Sequence, residues 1–368
     1  MSAYSHVLLP IFLLVFINQM ADTKLTQVKK TYWGRFANPW STWEDTRIKA
    51  GLIMPFTLGE TNNSPDPKDP LLNTTLPIHT PKFFNSEFEK LGVRLTWLGH
   101  SSVLFQIDGV RVLCDPIFSD RCSASSLIGP HRYRPPPCRI DDLPHIDAVV
   151  ISHNHYDHLD VNSVQELDKR FPGLYWYVPS GIRDFILSTV SQASKDRVRE
   201  FMWWEEKPIG DTGVKAVFTP AQHWSARNFI FDSFTTLWGS WALIGPKHRV
   251  WFGGDTGYCS VFKEIGEHLG PFDVAAIPIG AYKPRWALKS QHVDPTEAVQ
   301  IHREIKAKHS IGIHWGTFPL SKESYLAPKY DLEKAVKEAG LTESDFKTIY
   351  HGQSYCYHGY KNDTGFIE

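Results

Sequence analysis

The chain reads as an α/β protein, a four-layer αββα sandwich in which two sheets pack together under outer helices. Two observations predict this. Apolar segments of strand length recur between Val93 and Ile313 and end in short loops, and amphipathic stretches of helical period fall between them. A third observation locates the chemistry: Ser152-His153-Asn154-His155-Tyr156-Asp157-His158-Leu159-Asp160 directly follows the apolar run Ile146 to Ile151, which reads as a buried strand entering a loop.

Taken in order, Val7 to Ile17 is an apolar run well short of the roughly 20 residues that span a bilayer. A cleaved signal and a monotopic anchor both fit it, which points to a peripheral or monotopic membrane protein with a secretory or endomembrane location open. The sequons at Asn62, Asn73 and Asn362 matter only in a secretory lumen. From Asp22 to Phe84 the chain is polar and proline-rich and reads as an extended lead-in. Residues 1–31 are taken as the apolar segment and linker, and 32–368 as a single domain. Val93 to Trp97 alternates as a strand, and Val103 to Ile107 and Val110 to Leu113 flank Asp108-Gly109, a two-residue hairpin signal.

After the histidine loop come a helix from Val161 to Arg170, a strand at Leu174 to Val178 and a helix opening near Ser180. Further strands are predicted at Val214 to Thr219, Leu237 to Ile244, Val250 to Gly253, Val274 to Ile279 and Ser310 to Ile313. Asp294, Pro295 and Glu297 form a capping box that opens a helix with the apolar stripe Ala298, Ile301, Ile305. A last helix, Leu332 to Ala339, stops at Gly340.

Composition excludes little but narrows the partners. A net charge of -1 gives no nucleic-acid footprint. Thirteen tryptophans and 22 phenylalanines suit a large apolar pocket or a membrane surface as well as a core. The five cysteines are scattered without a CxxC pair, which argues against a disulfide framework and for small buried hydrophobes; Cys259 lies near Asp255 in sequence.

Three histidines and an aspartate fall within six positions, His153 to His158. Residues two apart on a tight loop can turn both imidazoles to one cation, while Asp157 and His158 reach a second. Nitrogen mixed with carboxylate suits Zn²⁺ or Fe²⁺ better than Mg²⁺. A histidine-rich surface loop without metal is the alternative, yet HxHxDH at a strand end arises by chance far less readily than neighbouring histidines in a chain with 17 of them. Three later strand ends deliver similar residues, His223, Asp255 and His314. Singly these read as core histidines and a turn aspartate. With the loop they complete two sites: His153, His155 and His223 for one ion, Asp157, His158 and His314 for the other, and Asp255 bridging. Two cations about 3.5–4 Å apart bring the pKa of a shared water from near 15.7 towards 7, so hydrolysis is the favoured chemistry.

This ligand order resembles the metallo-β-lactamase superfamily, which implies a four-layer αββα sandwich with a dinuclear site at one edge. Within it, Thr96 to His100, Asp115 to Phe118, Gln222 to Trp224, Gly254 to Tyr258, Ile277 to Tyr282, Gln291 to Pro295 and His314 to Phe318 are similar to the N-acyl-phosphatidylethanolamine-hydrolysing phospholipase D family, over about Tyr32 to Gln353. The resemblance implies two Zn²⁺ per chain, hydrolysis of the lipid to N-acylethanolamine and phosphatidic acid, and homodimers. His292 matches a histidine required in that family and would stand near the phosphate as donor or general acid, beside the catalytic carboxylates Asp255 and Asp157; alone, it would decorate the following helix. Asp115, His100 and Gln291 are expected to orient ligands, although Asp115 also fits a plain Asp-Pro turn. Tyr156, Trp224, Arg227, Phe229 and Phe231 are candidate lipid contacts, Arg227 for phosphate and the aromatic stretch for the bilayer, with core packing as the competing reading. Another hydrolase of the same fold, or a lipid-binding protein without turnover, are the alternatives.

Overall fold

The computed structural model describes residues 25–47, 64–83, 92–228, 231–359 and 365–368, so the run Val7 to Ile17, the sequons at Asn62 and Asn362, and Phe229 lie outside the described residues. The described chain opens with a small hairpin of β1 (Lys29–Lys30) and β2 (Phe36–Ala37). It is bonded to the body before residue 32: Thr26 donates from N and Oγ1 to Glu264 at 2.8 and 2.7 Å.

One sheet carries β3 (Val93–Trp97), β4 (Val103–Ile107), β5 (Val110–Cys114), β6 (Ala148–Val150), β7 (Tyr175–Pro179) and β8 (Val198–Phe201) side by side in chain order. The other carries β9 (Glu206–Pro208), β10 (Lys215–Thr219), β11 (Ser240–Ile244), β12 (Arg249–Phe252), β13 (Phe272–Pro278), β14 (Ala307–Ile313) and β15 (Phe346–Lys347). The chain then returns, and β16 (Ser354–Tyr357) pairs antiparallel with β3, with β17 (Phe366–Ile367) at the edge beyond it.

Period-two alternation decides which core each side chain joins. Phe105, Val112, Cys114, Val150 and Tyr177 face the space between the sheets, where they join Phe218, Trp241 and Val274. Their neighbours Leu104, Leu113, Val149, Trp176 and Val178 point outward into a second core under the helix Val161–Arg170. Because both faces are covered, these strands read as near-continuous apolar runs. The helix Pro295–Glu304 covers the other sheet, opened by the expected capping box in which Asp294 accepts from Glu297 N at 3.0 Å.

The hairpin turn behaves as its sequence predicts. Asp108 and Gly109 both take positive φ, 49° and 87°, the turn whose twist matches the flanking strands. The Asp108 carboxylate also accepts from His248 Nδ1 at 2.6 Å, linking this turn to the turn between β11 and β12. Differences from the expected elements are mostly at boundaries. The strand expected at Leu237 to Ile244 begins at Ser240, and the last helix runs Ala327–Glu338, five residues earlier than Leu332, with Pro328 in its first turn. The helix Val261–His268 and the strands β8 and β16 had no sequence expectation. Among the described residues no helix is long and apolar enough to cross a membrane.

His351 sits in this frame with its ring 4.4 Å from that of Trp97 and its Nε2 3.1 Å from Thr317 Oγ1. Burial, reinforced by Arg132 and Arg134, pushes it down to about 3. The folded state therefore refuses a proton that the unfolded chain accepts below pH about 6.5, and stability is lost as pH falls from there towards 3. In denaturant titrations of the metal-loaded protein, wild type should lose about 1.4 kcal/mol per pH unit more than His351→Gln across that window.

Candidate metal centre

Every predicted ligand, and the orienting Asp115 with them, stands just beyond the C-terminal end of a strand, and the sheet order brings those ends to one edge of the sandwich. Asp115 follows β5, the loop His153 to His158 follows β6, His223 follows β10, Asp255 follows β12 and His314 follows β14. The loop is aimed by Trp241, whose Nε1 donates to Ile151 O at 2.9 Å, and by Arg227, whose Nη1 donates to Asn154 O and Leu159 O at 3.1 and 2.8 Å. Gly254 has φ 58°, and a Cβ there would meet Ser152 Cβ at 2.6 Å, so only glycine lets the Asp255 turn approach the histidine loop this closely. His100, Asp115 and His314 also take positive φ, at 50°, 38° and 60°. Non-glycine residues rarely adopt this backbone, and here the surrounding structure holds the strain.

The side chains converge as two groups. His153 Nε2 and His223 Nε2 lie 2.9 and 3.2 Å from His155 Nδ1. Asp157 Oδ2 lies 3.3 Å from His158 Nε2 and 3.5 Å from His314 Nε2. Asp255 stands between them. Its Oδ2 is 3.9 and 3.7 Å from His153 and His223 and 3.1 Å from His158, while its Oδ1 is 3.1 Å from His314. His292 Nδ1 is 3.8 Å from the same Oδ2, its ring stacked over His314 at 5.2 Å and edge-on to His223 at 5.3 Å.

A ring of partners holds these imidazoles. Asp115 Oδ2 accepts from His158 Nδ1 at 2.6 Å, and the same carboxylate takes Ser152 N at 2.7 Å and Ser152 Oγ at 2.5 Å. Ser152 Oγ also lies 2.9 Å from His153 Nδ1, so Asp115 orients two histidines, one through the serine. His100 Nε2 is 2.9 Å from Asp157 Oδ2. Gln291 acts through its main chain: His223 Nδ1 donates to its carbonyl at 2.9 Å, and its amide oxygen accepts from Trp224 Nε1 at 2.6 Å.

Burial and the carboxylates divide the histidines electrostatically. Burial pushes His155 down to about 4 and His223 to about 3, the neutral state that binds metal, and it pushes His292 to about 3 as well, a neutral ring with one N–H to donate. For His158 and His314 burial acts the same way, but Asp255 and Asp157 outweigh it and pull both up, His314 to about 9. Buried His155 Nε2, His158 Nε2, His314 Nε2, His292 Nδ1 and Asp255 Oδ1 have no hydrogen-bond partner among the described residues. Buried polar atoms are normally satisfied. Orphans concentrated on a nitrogen and carboxylate set, with ligand atoms grouped within 4.8 Å, fit bound cations that replace the missing bonds.

The expected lipid contacts fall on one side of this centre. Trp224 lies edge-on to His155 at 4.4 Å, and Tyr156 OH donates to Arg227 O at 3.1 Å. Arg227, expected to meet phosphate, spends Nη1 on the loop carbonyls and lies over the Tyr156 ring at 4.0 Å. Phe231 is in solvent. Sequence reasoning missed two residues that hold the site. Ser152 lay inside the quoted motif, but its bonds to Asp115 and His153 depend on two strands meeting. Arg285 donates Nη1 to His292 O at 2.8 Å and pairs with Glu297 at 2.6 Å, a contact across a turn with no signature in the chain.

A family model described as a beta-lactamase superfamily domain matches residues 110–315, which contain all of the predicted ligands. N-acyl-phosphatidylethanolamine-hydrolyzing phospholipase D 1 of Caenorhabditis elegans is 42% identical over 310 residues, covering 82% of this chain and 86% of that protein. The chain belongs to the N-acyl-phosphatidylethanolamine-hydrolysing phospholipase D family of the metallo-β-lactamase superfamily. A mitochondrial member of that phospholipase D family from Saccharomyces cerevisiae is 35% identical over 289 residues, covering 75% of this chain and 60% of that protein. Among solved structures, the metallo hydrolase Igni18 of Ignicoccus hospitalis superposes with a TM-score of 0.55 at 22% identity, over 73% of this chain and 99% of that one, a likeness of fold. The αββα sandwich expected from the sequence is thus the fold of this phospholipase D family member.

Because Asp115 fixes His158 directly and His153 through Ser152, Asp115→Asn should weaken metal binding by about 10–100-fold. Competition against a graded series of chelators reads that loss. Unchanged affinity would show that the carboxylate does not orient the ligands.

Proposed function

We propose that this chain hydrolyses the phosphodiester of N-acyl-phosphatidylethanolamine at a membrane surface, releasing N-acylethanolamine and phosphatidic acid, with two Zn²⁺ held by His153, His155 and His223 on one side, Asp157, His158 and His314 on the other, and Asp255 between. The observation that carries the reading is the placement of Asp255, whose two oxygens face the two histidine groups at 3.1 to 3.9 Å. The substrate class comes from family membership, at 42% identity to a protein of that named activity.

When bound, the metal pair supplies an activated water and neutralises the phosphodiester charge. The residues do the rest. His100 holds the Asp157 carboxylate and Asp115 holds His158, so both stay oriented while charge develops at phosphorus. His292 overhangs both groups with Nδ1 unpartnered among the described residues, placed to hold a proton towards a phosphate oxygen. Arg285 fixes the carbonyl of His292 and so keeps that ring over the site. Trp224, locked to Gln291 and packed on His155, closes one wall and excludes water. The homodimer rests on family membership alone, and light scattering reads it. A membrane surface follows from the substrate, since N-acylated phosphatidylethanolamine resides in bilayers.

Incubating metal-loaded protein with this lipid in mixed micelles should yield phosphatidic acid and N-acylethanolamine in equal amounts, and metal analysis should give two zinc ions per chain. Recovery of intact lipid would sink the reading. Asp255→Asn should abolish turnover, while His292→Gln should lower kcat by about 10²–10⁴-fold, the usual contribution of a positioned proton donor. A His292 variant that lost only KM would reassign that ring to substrate binding.

A further inference from the structure

The hairpin of β1 and β2 carries Tyr32 and Trp33 at its turn, 94% and 83% exposed, with their rings in edge contact at 5.2 Å. Holding two large aromatic rings in water forgoes the burial that either could supply, so the fold gives no reason for them. Exposed Lys29 and Lys30 stand just before the turn and Arg35 just after it.

Arg35 ties this turn to a second exposed aromatic. Its Nη2 donates to Phe231 O at 3.0 Å and its Nη1 to Ser233 O, and Phe36 N donates to Phe234 O at 2.9 Å; Phe231 itself is 71% exposed. A cleft of about 560 Å³ reaches Arg227, four positions before Phe231, and is lined also by Tyr156, Asp160, Arg121, Asp120 and the serines up to Ser126. The next two residues on that far wall, Leu127 and Ile128, are 82% and 70% exposed, on a loop closed by Arg121 Nη1 donating to Gly129 O at 2.6 Å. An exposed apolar prong thus follows closely in the chain from each of two walls of the cleft, Phe231 from Arg227 and Leu127 with Ile128 from Ser126. The whole face is joined to the metal centre: immediately after β2 ends, Asn38 Nδ2 donates to His223 O at 2.7 Å, and Arg227 clamps the histidine loop.

We propose that Tyr32 with Trp33, Phe231, and Leu127 with Ile128 are three prongs that seat the protein in the interfacial layer of an anionic bilayer, with Lys29, Lys30 and Arg121 on the headgroups, so that the metal centre is held at the lipid surface. The inference rests on the proposed bilayer-resident substrate and names where that surface is met. Aromatic rings with a polar atom favour the headgroup level, and the basic residues around them, Lys29, Lys30, Arg35, Arg121 and Arg227, outnumber the carboxylates of Asp120, Asp160 and Asp232. Each Lys or Arg near an anionic surface adds roughly fivefold to partitioning.

The test uses full-length, metal-loaded protein and vesicles of phosphatidylcholine with or without phosphatidylserine, containing no substrate. Sedimentation should show stronger binding with phosphatidylserine, and the double variant Tyr32→Ser, Trp33→Ser should lower it by at least about tenfold with its melting temperature unchanged. Lys29→Glu with Lys30→Glu should remove most of the phosphatidylserine dependence. Hydrogen exchange should show protection at residues 31–35, 124–129 and 231–234 on vesicles. Unchanged partitioning of the aromatic double variant, or no protection in those segments, overturns the proposal. So does a variant that dissociates an oligomer while vesicle binding persists, which assigns the face to a second copy. Because the binding assay contains no substrate, docking as described without product from micelles would sink the proposed reaction and leave the face standing. Product from wild type with no effect of the hairpin on binding would do the reverse.

Discussion

The buried carboxylate of Asp255, facing two groups of imidazoles at once, is the constraint around which the edge of this sandwich is built. Taking so many ionisable groups out of water is costly unless each finds a partner. Asp115 and Asp157 share the task, with Asp115 on His158 at 2.6 Å and Asp157 between His100 and the His158 and His314 rings. The orphaned nitrogens that remain are the places where protein partners run out and cations fit.

The two sheets exist, in this sense, to hold strand ends together. Parallel neighbours β12, β13 and β14 present Asp255 and His314 from one sheet, and β5 beside β6 presents Asp115 and the histidine loop from the other. Aromatic side chains between the sheets anchor the loops directly, as Trp241 does for Ile151 and Trp97 for the carbonyl of His100 at 2.8 Å. Left-handed backbone at His100, Asp115 and His314 is tolerated because these bonds over-determine it.

Much of this was legible beforehand. The helix Val161–Arg170, the capping box at Asp294 and the Asp108-Gly109 hairpin rest on local rules of periodicity, capping and turn chemistry, and local rules need no partner. The three early strands were equally plain. Elements whose stability comes from a distant partner were not: β16 is a four-residue strand defined by pairing with β3, some 260 residues earlier in the chain. The late start of β11 reflects Leu237 and Trp238 packing in a loop, which hydropathy alone cannot tell from a strand.

The same division runs through the site. Residue types and their order, HxHxDH followed by His223, Asp255 and His314, are properties of the chain and point to metal hydrolysis by themselves. What the packed fold decided is which atoms meet: Asp255 between the groups, Ser152 relaying Asp115 to His153, Gln291 acting through its carbonyl, Arg227 Nη1 on the loop carbonyls, and Arg285 behind His292. Hydrogen bonds have a reach of about 3 Å, whereas sequence separation says nothing about distance once the chain turns. Partners far apart in the chain come within that reach by strand pairing inside one sheet, as for Ser152 with Asp115 37 positions away, or by the two sheets closing on one another, as for His248 with Asp108 140 positions away.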